Sequence, residues 1–234
     1  MIRQAENLRE EKSHSVSLSA DMYRRFGAFQ CNLLLEGFYT RLNHVFVLEE
    51  IGKDEEHNAV IKERRNGQGA EVAGVTVEGK VAYLSLVQLQ AGVTWQKSHY
   101  TRPEKWSKDS SVPAEKRIFR TPDWYGYFTA TYSPVKPLNI ALSGTYTGSM
   151  IVQHMKGYIP KDMAVTTPDF FDMNLKISYD FSLYKFITLQ LNAGVQNIFN
   201  AYQRDFDQGK ERDSGYIYGP SMPRSYFAGA KLMF

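Results

Sequence analysis

The chain is 234 residues long, with 43% hydrophobic residues and a formal net charge of +3. So small a charge, with basic residues interspersed among acidic ones, gives no support for a nucleic-acid partner. No stretch approaches the roughly 18 uncharged apolar residues of a membrane-spanning helix, so a helical membrane protein is excluded as well. The 14% aromatic content and the mean hydropathy of −0.41 are typical of a membrane β-barrel, whose strands are apolar on one face only.

Apolar and polar residues alternate with a period of two along most of the chain, which predicts β-strands and not helices. The segment 59–81 is the least regular, because its glycines permit bulges. Leu84 and Leu86 have the opposite parity to Leu89 and predict a turn or bulge near Val87. The predicted strands are residues 15–20, 29–39, 59–81, 88–96, 124–132, 138–149, 171–181, 187–196 and 226–234.

The predicted connections alternate between short and long. This alternation is expected of an antiparallel sheet that spans a membrane with short periplasmic turns and long outer loops, whereas a soluble sandwich has no reason to follow it. The short breaks are residues 21–26, 80–83, 133–137 and 182–185, and the long connections are residues 49–57, 97–121, 151–168 and 201–216.

Aromatic residues mark both ends of the predicted strands, where amphipathic rings would lie at the headgroup level of a bilayer. Most strands also reach the roughly 9–11 residues that cross the hydrocarbon at a tilt. The sequence therefore predicts an all-β fold, an antiparallel up-and-down transmembrane β-barrel segment of about nine strands. The rings near short turns are Tyr132, Tyr179, Phe181, Tyr184 and Phe186, and those toward long connections are Trp95, Trp124, Tyr146 and Phe199.

The last predicted strand is apolar on one face and ends in an aromatic residue. Phe234, Leu232, Ala230 and Tyr226 all share that face. Such an ending resembles the signal that the outer-membrane barrel assembly machinery recognises in its substrates. We therefore expect these four residues to act as an assembly signal.

The segment before the last strand resembles a known family. Residues 194–202 read Gly-Val-Gln-Asn-Ile-Phe-Asn-Ala-Tyr, and residues 216–224 read Tyr-Ile-Tyr-Gly-Pro-Ser-Met-Pro-Arg after a polar loop. This order resembles the closing strands of TonB-dependent receptors. The resemblance implies a partial barrel of a family with about 22 strands. Because a signal peptide, a plug and the first strands are not found in the sequence, we expect residues 1–234 to be the C-terminal part of such a barrel.

The resemblance also implies a function. The parent protein would be a receptor in the outer membrane of a Gram-negative bacterium, and not an enzyme. It would take up a scarce nutrient, such as a ferric siderophore, haem or cobalamin, that binds to outer loops and the inner wall. Its expected partners are outer-membrane lipid, the barrel assembly machinery, the small nutrient ligand and the TonB system, which would act through the missing N-terminal region.

No set of residues indicates catalysis, a metal site or a bound cofactor. The histidines are isolated, without a second histidine or cysteine at ligand spacing, so structural or loop roles are favoured over ligand contact. Those in or beside outer loops are the better candidates for contacting a ligand, and Arg212 joins them. The five histidines are His14, His44, His57, His99 and His154, of which His57, His99 and His154 are the loop candidates.

Two further features favour structural interpretations. Cys31 lies in an alternating run and is interpreted as a small apolar residue of a strand. The acidic segment 205–209 lacks the fifth-position ligand and the terminal Glu of an EF-hand loop, so it is interpreted as a solvated loop.

Two other functions stay open on the sequence alone. A passive porin or adhesin-type barrel has the same strand pattern. A soluble all-β carbohydrate-binding or hydrolytic domain alternates in the same way, but it buries its apolar face against a second sheet. A second protein layer over the apolar stripe would therefore contradict the membrane barrel.

Overall fold

The computed structural model describes residues 2–54 and 59–234, and within these ranges the chain folds as fifteen β-strands without a helix. No helix in the described ranges has the length and apolar content to cross a membrane. The strands are β1 (Ile2–Gln4), β2 (Lys12–Phe26), β3 (Phe29–Asn43), β4 (Phe46–Asp54), β5 (Ala59–Asn66), β6 (Ala70–Tyr83), β7 (Val87–Glu104), β8 (Glu115–Arg117), β9 (Trp124–Val135), β10 (Leu138–Thr147), β11 (Ile151–His154), β12 (Met163–Thr166), β13 (Phe170–Tyr184), β14 (Ile187–Gln196) and β15 (Ser225–Met233).

One antiparallel sheet dominates the fold. Its strands follow the order β15-β14-β13-β10-β9-β7-β6-β3-β2, and β8 adds to β7 outside this path. The path contains the nine strands that the sequence predicts, in an up-and-down order, so this prediction is confirmed. The sheet is not closed, because β15 and β2 have no further strand beside them in the described part of the chain.

The connections of this sheet alternate as predicted. Tight turns join β2 to β3, β6 to β7, β9 to β10 and β13 to β14, and long connections join the strands between them. We call the end of the sheet with the tight turns the turn end, and the opposite end the loop end.

Several predicted boundaries are wrong. The segment 21–26 is not a break, because β2 continues to Phe26 and the turn follows at Gly27, whose φ of 59° suits a glycine. Similarly, β6 continues to Tyr83, and the turn lies at residues 84–86. The segment 59–81 is two strands, β5 and β6, in different sheets.

The long connections contain short strands that the sequence did not predict. β1, β5 and β4 form a separate three-stranded sheet, and β11 pairs with β12 in a hairpin. The connection 97–121 is also shorter than predicted, since β7 continues to Glu104 and pairs with β8. These strands were missed because they carry no long apolar stripe.

The register places residues of the same kind opposite one another. On one face Leu175 of β13 pairs with Leu142 of β10 and with Val195 of β14, and the next apolar residue, Ile177, continues the row. On the other face Ser178 pairs with an asparagine on each side. Because a slip of one residue would move every side chain to the wrong face, this pattern fixes the register.

In the part of the chain that the structure describes, no second layer covers the apolar face. Leu89 is 45% exposed, Ile177 42% and Leu191 44%, although all three lie well inside their strands. Buried hydrophobic residues in the described ranges lie in the short strand β11 or at or beyond the ends of other strands, and they include Val152 and Phe170. An exposed apolar stripe is what the membrane barrel predicts.

Cross-strand contacts between glycine and an aromatic ring support the main sheet. A Cβ atom on Gly144 would lie 2.3 Å from Cε1 of Phe128, and one on Gly194 would lie 2.4 Å from Cζ of Phe227. Each ring therefore lies directly over the backbone of the glycine on the neighbouring strand. There it covers the backbone hydrogen bonds that the missing glycine side chain would leave exposed.

The chain divides into two compact units. Unit 1 comprises Met1–Ser17, Phe38–Gly74 and Lys97–Ile118, and unit 2 comprises Leu18–Gly37, Val75–Gln96 and Phe119–Phe234. Unit 2 contains a small buried core of Val152, Phe170, Tyr216 and Tyr218. In unit 1, Glu104 is 8% exposed and accepts hydrogen bonds from Arg65 and from the backbone of Gln68.

Candidate functional site

A hydrogen-bond network joins β6, β7 and β9 on the polar face of the sheet. The Tyr127 hydroxyl donates to Oε2 of Glu78 at 2.6 Å, and Nε2 of Gln90 donates to the other oxygen at 3.0 Å. Nζ of Lys80 lies 3.2 Å from the same carboxylate. Glu78 is therefore held in place by three neighbours and links the strands of the polar wall.

A cleft of about 360 Å³ opens on the same face, and most of its accessible lining is apolar. No charged side chain lines it in the described part of the chain. The hydroxyl groups in its lining include those of Thr76, Thr94, Tyr125, Tyr127, Thr145 and Thr147.

Beyond the sheet, the connection from β14 to β15 packs against the hairpin of β11 and β12. We call this arrangement the outer-loop cluster and define it as residues 150–170 with residues 197–224. Its centre is Val152, which is fully buried, and the rings of Phe170 and Tyr218 lie 6.1 Å apart beside it. The long connection is therefore packed in a defined position.

Two asparagines close the base of the outer-loop cluster. Asn197 and Asn200 both have positive φ, of 52° and 55°, a conformation that asparagine tolerates well. The Asn197 amide donates to the carbonyl of Met222 at 2.9 Å, and Oδ1 of Asn200 accepts from the backbone N–H of Arg224 at 2.9 Å. These bonds join the end of β14 to the start of β15.

A buried glutamine holds two distant parts of the β14–β15 connection together. Gln203 is 1% exposed, and its amide donates to the carbonyl of Tyr216 at 3.1 Å while accepting from the N–H of Tyr218 at 2.7 Å. Both ends of the amide are thus satisfied by backbone, as burial of a polar group requires.

Asp205 accepts hydrogen bonds from two tyrosines. The Tyr218 hydroxyl lies 2.6 Å from Oδ1, and the Tyr216 hydroxyl lies 2.9 Å from Oδ2. Burial raises the pKa of Tyr216, and the bond to Asp205 raises it further, to about 12. Burial acts to raise the pKa of Asp205, but the bonds donated by Tyr218 and Tyr216 outweigh it and lower that pKa.

His154 lies inside the same cluster. Its ring stacks on Tyr216 with centroids 3.7 Å apart, and Nε2 lies 2.9 Å from Oδ2 of Asp207. That carboxylate also accepts from the N–H of Asp213 at 2.9 Å. The side chain of Asp207 is 2% exposed, so the expectation of a solvated loop is wrong at this residue.

The family model described as TonB dependent receptor-like, beta-barrel matches residues 2–198. The chain belongs to the TonB-dependent receptor β-barrel family. The sequence resemblance is confirmed, although most of the closing segment that suggested it lies beyond the matched range. A comparison with curated proteins finds no match.

Solved TonB-dependent receptors share the fold. The FrpB iron transporter from Neisseria meningitidis is 12% identical, with a TM-score of 0.60 over 100% of this chain and 33% of its own. The ferric-catecholate import receptor Fiu from E. coli is 18% identical, with a TM-score of 0.60 over 97% of this chain and 28% of its own. A mutant ferric enterobactin receptor from Pseudomonas aeruginosa is 16% identical, with a TM-score of 0.60 and shares of 97% and 31%.

The chain thus spans about a third of the length of these solved receptors. The TonB-dependent receptor family consists of transport receptors and not enzymes, and its members lie in the outer membrane of Gram-negative bacteria.

The residues predicted to contact a ligand in this TonB-dependent receptor barrel have different local surroundings. His99 lies in β7, His154 is buried in the outer-loop cluster, and Arg212 is exposed and donates to the carbonyl of Gly209 at 3.1 Å. His57 lies outside the described residues. No group of three or more potential metal ligands occurs in the ranges that the structure describes. Ligand contact by these residues stays a prediction.

The sequence analysis missed most of the outer-loop cluster, including Gln203, and it missed the contact that Arg120 makes with this cluster. The Arg120 guanidinium donates to the carbonyls of Ile217, at 2.6 Å, and Gly215, across almost a hundred residues of sequence. One available signal was the alternation of Tyr216 and Tyr218 around Ile217, which is unusual for a solvated loop.

The predicted assembly-signal residues share one face of the last strand and its end. Tyr226 pairs with Val195, Ala230 with Leu191 and Leu232 with Leu189, so this face continues the apolar face of β14. Recognition by the assembly machinery stays a prediction.

Proposed function

We propose that this chain forms part of the barrel wall of an outer-membrane receptor that imports a scarce nutrient with energy from the TonB system. The observation that carries the proposal is the uncovered apolar face of a nine-stranded antiparallel sheet, opposite a hydrogen-bonded polar face. Exposed leucine and isoleucine side chains are unfavourable in water but stable against hydrocarbon. In this orientation the turn end faces the periplasm and the loop end faces outward.

Residues 1–234 make the C-terminal part of a larger barrel in this proposal. The edges of β2 and β15, which have no neighbouring strand in the ranges that the structure describes, support it, because a transmembrane sheet needs a closed ladder. The signal peptide, plug and remaining strands would belong to other parts of the receptor. TonB would act through that N-terminal region, and β15 with Phe234 would be read by the assembly machinery.

The cargo in this proposal is a small nutrient such as a ferric siderophore, haem or cobalamin. Among these nutrients, the iron-containing ones are supported by the names of the similar solved receptors, which are an iron transporter and receptors for ferric compounds. The outer-loop cluster would contribute a rigid surface, and the exposed Arg212 would be available for ligand contact. His99 and His57 remain candidates for the same role.

Cysteine labelling tests which face meets lipid. In a Cys31→Ser background, Ile177→Cys and Ser178→Cys differ by one position on β13 and lie on opposite faces. We expect a water-soluble maleimide to label Ser178→Cys in isolated outer membranes but not Ile177→Cys. Both variants should react after denaturation in detergent. Equal labelling of the two in intact membranes would overturn the proposal.

Nutrient uptake tests the role of TonB. Cells producing the complete receptor should take up radiolabelled ferric siderophore under iron limitation, and this uptake should vanish in a strain without TonB. Uptake that persists without TonB would favour a passive porin.

A further inference from the structure

We propose that the cleft of about 360 Å³ on the polar face of unit 2 binds a neutral, planar aromatic group of the imported nutrient. We call it the wall cleft. The inference rests on the proposed function, because import is what brings a small molecule to this face. A cleft of this volume is within the range of small-molecule sites, roughly 300–1,000 Å³. The lining residues that carry the argument are Thr76, Gly92, Thr94, Tyr125, Tyr127 and Thr145.

The strand register brings these residues together. Tyr127 of β9 lies opposite Gly92 of β7 on one side and opposite Thr145 of β10 on the other. Tyr125, two positions away on β9, lies opposite Thr94. Residues two positions apart on a strand share a face, so both rows lie on the polar face. They lie toward the loop end of the sheet, from which an imported molecule arrives in the proposed orientation.

Several hydroxyl groups of the wall cleft are bonded to other protein groups. The Oγ1 atoms of Thr76 and Thr94 lie 2.9 Å apart and form a hydrogen bond with each other. The Tyr127 hydroxyl donates to Oε2 of Glu78 at 2.6 Å and accepts from Nε2 of Gln90 at 2.8 Å. Because these polar tips are occupied, carbon atoms make up most of the accessible lining. An apolar group that enters the cleft therefore gains free energy by leaving water.

The Tyr127 ring forms a flat platform in the wall cleft. A Cβ atom on Gly92 would lie 2.8 Å from Cε1 of Tyr127 and 3.3 Å from Cζ, so the ring lies against the Gly92 backbone. Its hydroxyl is held by Glu78, and the residue is still 40% exposed. An open aromatic face favours offset stacking with a second ring. A planar aromatic group therefore fits this platform better than a saturated group does.

The charges around the wall cleft disfavour an anion. Two carboxylates flank it: Glu78 accepts from the platform hydroxyl, and Asp172 of β13 is the register partner of Thr145. The Lys80 ammonium lies 3.2 Å from Glu78, and the Arg120 guanidinium donates to backbone carbonyls of the outer-loop cluster. An anionic group would lose hydration without gaining a cation. A neutral group is therefore favoured over a negatively charged complex such as a ferric tris-catecholate.

The first test compares three small probes on the full chain purified in mild detergent. Coumarin is neutral and planar, coumarin-3-carboxylate adds a negative charge to the same ring, and 2-decalone is a neutral saturated bicycle of similar size. Saturation-transfer NMR measures binding, with protein-free micelles as the background. Coumarin should bind about tenfold more tightly than either of the other probes. Equal or tighter binding of the carboxylate or of the saturated bicycle would overturn the inference.

Variants of the platform locate the binding. Tyr127→Leu and Tyr127→Phe both remove the hydroxyl that bonds Glu78, but only the second keeps the ring. Coumarin should bind about tenfold more weakly to Tyr127→Leu and retain most of its affinity for Tyr127→Phe. Phe128→Leu, which removes the next ring of β9 on the opposite face, is the control and should change nothing. Equal losses in the two Tyr127 variants, or an equal loss in the control, would contradict stacking on Tyr127.

Uptake by the complete receptor distinguishes failure of this inference from failure of the proposed function. The probe is a radiolabelled, uncharged ferric siderophore with an aromatic ring. Thr145→Trp fills the wall cleft and should reduce TonB-dependent uptake about tenfold, whereas Leu142→Trp, on the opposite face of β10, should not. TonB-dependent uptake that is unchanged in Thr145→Trp refutes the wall cleft alone. Uptake that does not depend on TonB refutes the proposed function, and the inference with it.

Discussion

Within unit 2, the wall formed by the main sheet and the outer-loop cluster follow opposite rules for apolar side chains. In the wall, Leu191 and Ile177 are more than 40% exposed and meet no second protein layer. In the cluster, Val152 is fully buried and Phe170 is 7% exposed. The difference indicates two surroundings for one chain, hydrocarbon around the strands and water around the loops. Only the part in water needs a protein core.

The largest expected effect comes from removing the core of the cluster. Phe170→Ala should destabilise docking of residues 201–220 by about 3–5 kcal/mol, because it leaves a cavity beside Tyr218. Hydrogen exchange of the backbone in that loop measures the loss. Ile177→Ala is the control, since Ile177 lies on the opposite face in the middle of β13 and is 42% exposed. Faster exchange in the control variant alone would contradict the assignment of the core.

A charged residue in the middle of the wall should have the next largest effect. Leu191→Lys should reduce the free energy of unfolding in lipid vesicles by about 2–4 kcal/mol, the cost of lysine near the midplane on the lipid face of a barrel. Asn192→Lys, one residue away on the polar face, should change it little. Urea titration of the folded fraction compares the two. If both variants lose the same stability, the two faces do not differ in surroundings.

The smallest effect concerns pH. The pKa of Asp205 is lowered, so its contribution to docking is complete above its ordinary value of 3.8 and is lost as pH falls through the lowered pKa. The pKa of Tyr216 is raised from 10.0 to about 12. Its contribution to docking is therefore complete below pH 10.0 and is lost as the pH rises through about 12. Docking should therefore be constant between these limits.

A fluorescent probe at Ser214→Cys, in the Cys31→Ser background, measures this pH dependence through its polarisation. Tyr216→Phe removes the hydroxyl and should reduce the alkaline transition while leaving a smaller acid transition. An alkaline transition of full size in that variant would show that Tyr216 does not control it.

The wall could be predicted from the sequence because its surroundings impose a period of two. Residues such as Leu175 and Ile177 must face hydrocarbon, while Ser178 must not. This requirement determines the alternation of neighbouring residues, which can be read directly from the sequence. Strand ends were predicted less well: β2 continues through residues 21–26, whose polar and charged side chains resemble a turn.

The outer-loop cluster could not be predicted in the same way. His154 and Asp207 are 53 residues apart in the sequence, and Arg120 and Ile217 are 97 apart. No short-range pattern of apolar and polar residues predicts contacts between such distant residues. The asparagines at 197 and 200 were part of the resemblance, but their role in closing the loop depends on Met222 and Arg224. Such contacts become visible only when the strands bring distant segments together.

The stacking of His154 on Tyr216 has a practical consequence for recognition by antibodies. The surface around this pair combines residues from two segments, so a synthetic peptide copied from either one lacks half of the epitope. Immunogens for this region need the folded hairpin and loop together.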